Sequence, residues 1–292
     1  MFVILYYAPG GGYGHVCRGL KVLAACEADE VAAIICSPDS VIEEASSDVI
    51  LLPIPRNSKE DISVFRAWLY GQLNRLQPER IYIDTFPAGL LGELLYCPDI
   101  ATYPLYYIAR RMQWNMYVTV AQRCPFVFSG AYMVEPLEEP HRVYTISSSK
   151  KCEILELPQL NSSVPVGSDV LPAEFNHTLP LWGIVHSGVV SEVEALLSYA
   201  QQTASMENRE VQRILISPEK PERLSHGVLW KSYFPANKLY PFFNRIFTGC
   251  GFNAMHETIP FRKKHRWIPF ERRFDNQFWR AAYHKRKSTI KR

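Results

Sequence analysis

The chain has 292 residues, 47% hydrophobic and 21% charged, the balance of a globular protein with room for two domains. A net charge of +3 is too small to argue for nucleic acid, and no apolar run reaches the roughly 18 residues that span a bilayer. Seven cysteines with no Cys-x-x-Cys pair read as reduced thiols filling core positions, not as metal ligands.

The opening MFVILYY runs straight into Pro9-Gly10-Gly11-Gly12 and reads as a buried first strand rather than a signal peptide, so a cytoplasmic location is expected. On that expectation the sequons at Asn161 and Asn176 carry no meaning. Strands are predicted at Val3–Tyr7, Val31–Cys36, Val49–Leu52 and Ile81–Asp84, and two further ones at Pro104–Ala109 and Phe126–Ser129. Helices are predicted at Val16–Cys26, Val41–Ala45 and Val64–Leu76, the last ending before Gln77-Pro78. Glu135–Pro180 holds six prolines and little helical periodicity, which marks a domain boundary, although Glu153–Leu157 is strand-like. The division expected is an N-terminal domain over 1–150 and a C-terminal domain over 151–292.

A second alternation follows, with strands at Leu181–His186, Arg213–Ser217, Val228–Lys231, Arg245–Thr248 and Arg266–Ile268. Its helices are Val189–Ala204, Asn237–Phe243, Asn253–Thr258 and a last one from about Asp275. Strand and helix alternating in both halves predict an α/β protein with doubly wound parallel sheets.

Two stretches carry chemistry. Between the first strand and first helix lies Gly10-Gly11-Gly12-Tyr13-Gly14-His15. A dinucleotide site would want G-x-G-x-x-G and an acidic residue ending the second strand, and a P-loop would want Gly-Lys-Ser/Thr. Neither pattern is complete. The remaining reading is a crevice-facing loop of Gly11, Gly12 and Gly14 with His15 at the helix start, where the helix dipole keeps the imidazole neutral and able to accept a proton. Arg18 follows one turn on. Asp84, ending a strand, is a second catalytic candidate or a turn residue, and Arg110, Arg111 and Trp114 after another strand are an acceptor site or a helix start with a core tryptophan.

The other stretch is TGCGFNAMHETIPFRKKHRWIPFERRFDNQFWRAA. Gly249 and Gly251 sit between a strand and a helix, Asn253, His256 and Glu257 fall on that helix, Pro269-Phe270 ends the next strand, and Asp275 and Gln277 open the final helix. This order resembles the donor-binding region of GT-B glycosyltransferases related to the GlcNAc transferase of peptidoglycan-precursor synthesis. Those proteins show a Gly-rich turn, a helix carrying Glu, a strand ending in Pro, and Asp-x-Gln followed by a small residue, here Ala281. The Gly10–His15 loop resembles the same family's acceptor-side loop, and His186-Ser187-Gly188 resembles its pyrophosphate loop. Two features depart from the pattern: Cys250 separates the glycine pair, and the bulky, basic Phe261–Arg266 precedes the Pro strand.

The resemblance implies two Rossmann-like domains facing a central cleft and a metal-independent, inverting glycosyltransferase with no cofactor beyond a nucleoside-diphosphate sugar, UDP-linked. It implies that Glu257 holds the ribose, that amides of Ser187, Gly188 and Gly251 hold the pyrophosphate, and that Gln277 with Asp275 contacts the sugar. His15 would deprotonate the acceptor hydroxyl. The acceptor has no motif of its own: saccharide, lipid-linked, small-molecule and DNA acceptors stay open, as does a peripheral contact of the basic tail, His284-Lys285-Arg286-Lys287 with Lys291-Arg292, with an anionic membrane. A nucleotide-sugar hydrolase or epimerase, and a non-catalytic binding protein, are the alternatives.

Overall fold

Val3–Ala8 (β1) and Val31–Cys36 (β2) are almost wholly buried, as the apolar runs require of strands covered on both faces. The computed structural model describes residues 3–26, 30–40, 49–160, 171–172, 176 and 178–290. Tyr13–Cys26 (α1) links β1 to β2. The parallel sheet continues with Val49–Pro53 (β3), Arg80–Asp84 (β4), Leu105–Ala109 (β5), Gly130–Met133 (β6) and Cys152–Ile154 (β7). The strand order is β3-β2-β1-β4-β5-β6-β7. Ile62–Leu76 (α2) is capped by Asp61, whose side chain accepts from Ser63 N at 2.8 Å, and ends at Gln77 in the left-handed region. Its Phe65, Leu69 and Leu73 pack on Leu5, Tyr7, Ile81 and Ile83 of the sheet.

The second sheet is parallel with order β10-β9-β8-β11-β12. Its strands are Leu181–Val185 (β8), Gln212–Ile216 (β9), Val228–Lys231 (β10), Arg245–Gly249 (β11) and His265–Ile268 (β12). Val190–Met206 (α5) lays Val193, Leu196, Leu197 and Ala200 on Trp182, Ile184 and Phe247. On the opposite face Leu239, Tyr240 and Phe243 pack on Leu181, Ile214 and Ile246. Phe252–Glu257 (α6) follows β11, and Gln277–Ile290 (α7) is the last helix.

The chain forms two compact units, one of Met1–Pro158 with Arg273–Asn276 and the other of Gln159–Arg272 with Gln277–Arg292. The strand near residue 153 thus belongs to the first sheet, as β7, past the expected limit at 150. Two local expectations are corrected. The strand predicted at Phe126–Ser129 lies four residues later as β6; the earlier stretch is a connection whose buried Phe126 and Phe128 gave it a strand-like pattern. The proline-rich boundary also holds a helix, Glu139–Ser147 (α4), because Pro140 sits in its first turn, where no backbone N–H is needed. Val118–Ala121 (α3) is a single turn. The helix expected at Val41–Ala45 lies outside the described residues. No helix among them is long and apolar enough to cross a membrane.

Candidate active site

In each sheet the strand order reverses beside the first strand of its unit: β1 neighbours β4, and β8 neighbours β11. Open α/β sheets bind ligands beyond the carboxyl ends of the strands at such a reversal. A polar cluster stands at each of these two places, and each is built within its own unit.

In the first unit β1 delivers the glycine loop and His15, while β4 ends in Asp84. Asp84 is fully buried and receives four donors. Tyr6 Oη gives to Oδ1 at 2.8 Å, Arg18 Nε to Oδ1 at 2.6 Å, Arg18 Nη2 to Oδ2 at 2.5 Å and His15 Nδ1 to Oδ2 at 2.5 Å. Burial opposes ionisation of this carboxyl, but the Arg18 guanidinium and then His15 outweigh it and hold Asp84 well below the usual carboxylate range. Asp84 is therefore ionised and can only accept, so the proton in the short contact belongs to His15 Nδ1 and the lone pair lies on Nε2. Burial lowers the His15 pKa below its ordinary 6.5, Asp84 offsets part of this, and Arg18 and Arg110 push it down further. The imidazole is neutral at pH 7, oriented by a carboxylate, and its side chain keeps 13% exposure.

Thr85 completes the cluster. Its φ of 64° is a left-handed conformation that a β-branched residue adopts only under constraint. That turn brings Thr85 Oγ1 to Arg18 Nη2 at 2.9 Å and to Arg110 Nε at 3.3 Å, while the Thr85 carbonyl accepts from Tyr107 Oη at 2.9 Å. Phe86 lies against the His15 ring, 6.1 Å between centroids.

Gly11 and Gly14 are exposed, and the Gly12 carbonyl accepts from Ser40 Oγ at 3.0 Å. Gly10 has a stricter constraint: a methyl group on its α-carbon would overlap the His15 imidazole at Nε2, Cδ2 and Cε1. Gly10→Ala is expected to swing the ring off Asp84. Proton NMR checks this directly, since the low-field Nδ1–H resonance of a short imidazole–carboxylate bond should be present in the wild type and absent from the variant. A retained resonance would show that the loop absorbs the methyl group.

One sequence expectation changes here. Trp114 is not an acceptor-facing ring: it is 3% exposed and stacks on His141 with 4.2 Å between centroids. Asp275, two residues before Gln277, pairs with Arg110 within the first unit, in its Arg273–Asn276 segment, a partner that the Asp-x-Gln pattern did not announce. Phe274 of that segment packs on Phe86 and Tyr117, and its carbonyl accepts from Gln113 N at 2.8 Å.

In the second unit β8 ends at the His186-Ser187-Gly188 loop, with Ser187 and Gly188 exposed, and α5 begins without a side-chain cap. Open amides of this kind are a ready anion site. Gly249 ends β11 and Gly251 follows it, and Asn253, His256 and Glu257 lie on α6, Glu257 buried at its end. Phe252 and His256 stack nearly parallel, and the His256 carbonyl accepts from Gln159 Nε2 at 3.2 Å. Gln277 is 4% exposed, and its side-chain oxygen accepts from Cys250 N and from Phe270 N, both at 3.1 Å. That oxygen ties the loop after β11 to the loop after β12, a bracing position rather than the open sugar contact expected. Sequence reading named the loop at His186 but missed the side-chain cluster there: His186 Nε2 is 2.7 Å from Glu192 Oε2, and Arg272 holds Glu192 through both oxygens. A histidine ending a strand and a glutamate six residues on, in the first helical turn, was the available signal.

No family model matches the chain, and no curated protein matches it. Solved structures do resemble it. SnogD, a glycosyltransferase from Streptomyces nogalater, is similar at a TM-score of 0.59 and 10% identity, over 94% of this chain and 83% of that one. The glycosyltransferase SsfS6 of Streptomyces sp. SF2575, complexed with thymidine diphosphate, gives 0.58 and 14% over 93% and 83%. A UGT transferase from Siraitia grosvenorii in complex with UDP gives 0.54 and 11% over 96% and 82%. At these identities the likeness is one of architecture, and with its two parallel sheets of seven and five strands the chain has the α/β fold of the GT-B glycosyltransferases.

Proposed function

We propose that this protein is an inverting glycosyltransferase that moves a sugar from a pyrimidine nucleoside-diphosphate sugar, UDP- or TDP-linked, to an acceptor hydroxyl. The observation that carries the reading is the His15–Asp84 pair at the β1/β4 reversal, which presents a neutral imidazole with its lone pair on Nε2. Support for the donor class comes from the solved structures of the same fold, two of which hold thymidine diphosphate or UDP. The closer likeness to the peptidoglycan-precursor transferase rests on sequence alone, on Gly249, Gly251, Glu257, Pro269, Asp275, Gln277 and Ala281 with the Gly10–His15 and His186–Gly188 loops.

In the proposed reaction His15 Nε2 takes the proton of the acceptor hydroxyl as its oxygen bonds to the anomeric carbon. The bond from that carbon to the diphosphate breaks, and its electron pair leaves with the phosphate oxygen. Attack opposite the leaving group inverts the anomeric centre. Asp84 stabilises the imidazolium that forms. Amides of Ser187, Gly188 and Gly251, with the start of α5, face the charge that grows on the diphosphate. Glu257 takes the ribose, and Gln277 keeps the loops after β11 and β12 in register.

Thermal unfolding across a panel of nucleotides and nucleotide sugars tests the donor assignment. At a hundredfold excess over Kd a bound ligand adds about 2.7 kcal/mol, so UDP or TDP should raise the midpoint by several degrees while AMP leaves it unchanged. A flat profile over the whole panel would remove the donor assignment.

A further inference from the structure

Charge is distributed very unevenly along the chain. Residues 261–292 hold twelve Lys and Arg against Glu271 and Asp275, a net of +10, while the whole chain carries +3, so residues 1–260 stand at −7. Such asymmetry marks a surface for an anionic partner. The densest run, Lys285-Arg286-Lys287, lies on α7, and no acidic residue occurs between Gln277 and Arg292. None of these cations has a part in the reaction as proposed.

α7 is fastened to the second unit by one face. Gln277 is 4% exposed, Arg280 Nη1 donates to the Cys250 carbonyl at 2.8 Å, and His284 Nδ1 accepts from Arg262 Nη2 at 3.4 Å. These positions, three and four apart, make one stripe along the helix. The Arg262 contact also sets the basic Phe261–Arg266 stretch, with its exposed Lys263, beside the middle of α7. The opposite stripe faces outward. Phe278 is 55% exposed, and Ala282 and Lys285, four and seven positions on, are exposed as well. On the flank of this stripe Trp279 and Tyr283 stack with 4.8 Å between ring centroids, and Lys287 Nζ stands 4.7 Å from the Tyr283 ring. The outer side of α7 is therefore aromatic in its first half and cationic beyond.

The aromatic half decides which anion fits. The phosphates of a nucleic acid duplex engage the cations and leave Phe278 in water. A lipid interface engages both: an apolar ring enters the acyl boundary, Trp and Tyr settle at headgroup level, and Lys and Arg stems extend to the lipid phosphates. We infer that the outer face of α7 is a docking surface for an anionic lipid bilayer, with Phe278 entering the interface and Lys285, Arg286 and Lys287 lying among the headgroups. The contact is peripheral and reversible, and it weakens with salt because its charges are screened.

Co-sedimentation with vesicles tests this, and it does not depend on the donor reading. Vesicles of phosphatidylcholine and phosphatidylserine in equal parts should bind the wild type and release it as salt rises, and pure phosphatidylcholine should bind it at least roughly tenfold more weakly. Lys285→Glu, Arg286→Glu and Lys287→Glu combined should weaken binding to the anionic vesicles by about a hundredfold or more. Phe278→Ser leaves the charge unchanged and should weaken it roughly tenfold. Both variants should melt as the wild type does; substitution of the three cations by Gln replaces the reversal if that variant melts early. Full binding by Phe278→Ser would reduce the face to a general polycation and overturn the inference, as would unchanged binding after loss of the three cations. Tighter binding of duplex DNA than of the anionic vesicles would assign the face to nucleic acid and overturn it too.

Discussion

His15→Gln is expected to lower kcat for sugar transfer by about 10²- to 10⁴-fold, the usual worth of a positioned general base, while the midpoint shift produced by UDP stays as in the wild type. Glutamine fills similar space but cannot accept a proton near neutrality. The wild-type profile should carry the signature of the base as well. Burial, with Arg18 and Arg110, lowers the His15 pKa below 6.5 despite Asp84, so kcat/KM should rise with pH through a value under 6.5 and stay flat above it. Asp84→Asn tests the orientation. An amide NH₂ facing Nδ1 favours the tautomer with its lone pair on Nδ1 and its proton on Nε2, the reverse of what the base requires. That variant should lose a comparable factor. Turnover of His15→Gln within tenfold of wild type, in a variant that melts normally, would sink the general-base assignment.

How much of this was legible beforehand follows from the range of each interaction. The β1–glycine loop–α1 unit is local: an uninterrupted apolar run, a glycine stop and a helix start define it within 26 residues, and His15 stood out accordingly. The partner of His15 is 69 residues away. It becomes visible only when β4 is known to lie beside β1, a pairing that periodicity does not encode. Arg18 looked equally suited to crevice or solvent, and only the fold shows it closing on Asp84.

Motif reading failed where tertiary pairing redirected a side chain. Asp275 and Gln277 share one Asp-x-Gln pattern, yet Asp275 pairs with Arg110 in the first unit and Gln277 braces two loops of the second. Trp114 follows a strand in the manner of a ligand-facing residue, but His141, 27 positions on in α4, supplies a stacking face that buries it.

Arg18→Met should destabilise the first unit by about 3–5 kcal/mol, the cost of leaving a buried carboxylate without its cation. In a unit of this size that is a fall of roughly ten degrees in its melting midpoint. The pH dependence identifies the cause. In the wild type the folded-state pKa of Asp84 lies well below its unfolded value of roughly 3.9, so the stabilisation is complete above that value and is lost only as the pH falls through the folded one. In Arg18→Met the guanidinium is gone while burial remains, so the pKa of Asp84 rises above the unfolded value and the variant loses stability as pH rises. The gap between the two midpoints should therefore narrow between pH 7 and pH 4; a constant gap would attribute the loss to packing. Adding Asp84→Leu to Arg18→Met should recover much of the stability, because two apolar groups in the same volume leave no charge uncompensated. It should not recover transfer, since His15 would then have no carboxylate to keep its proton on Nδ1. Stability and activity would thus separate at Asp84, which marks the pair with Arg18 as serving the orientation of His15 more than the cohesion of the fold.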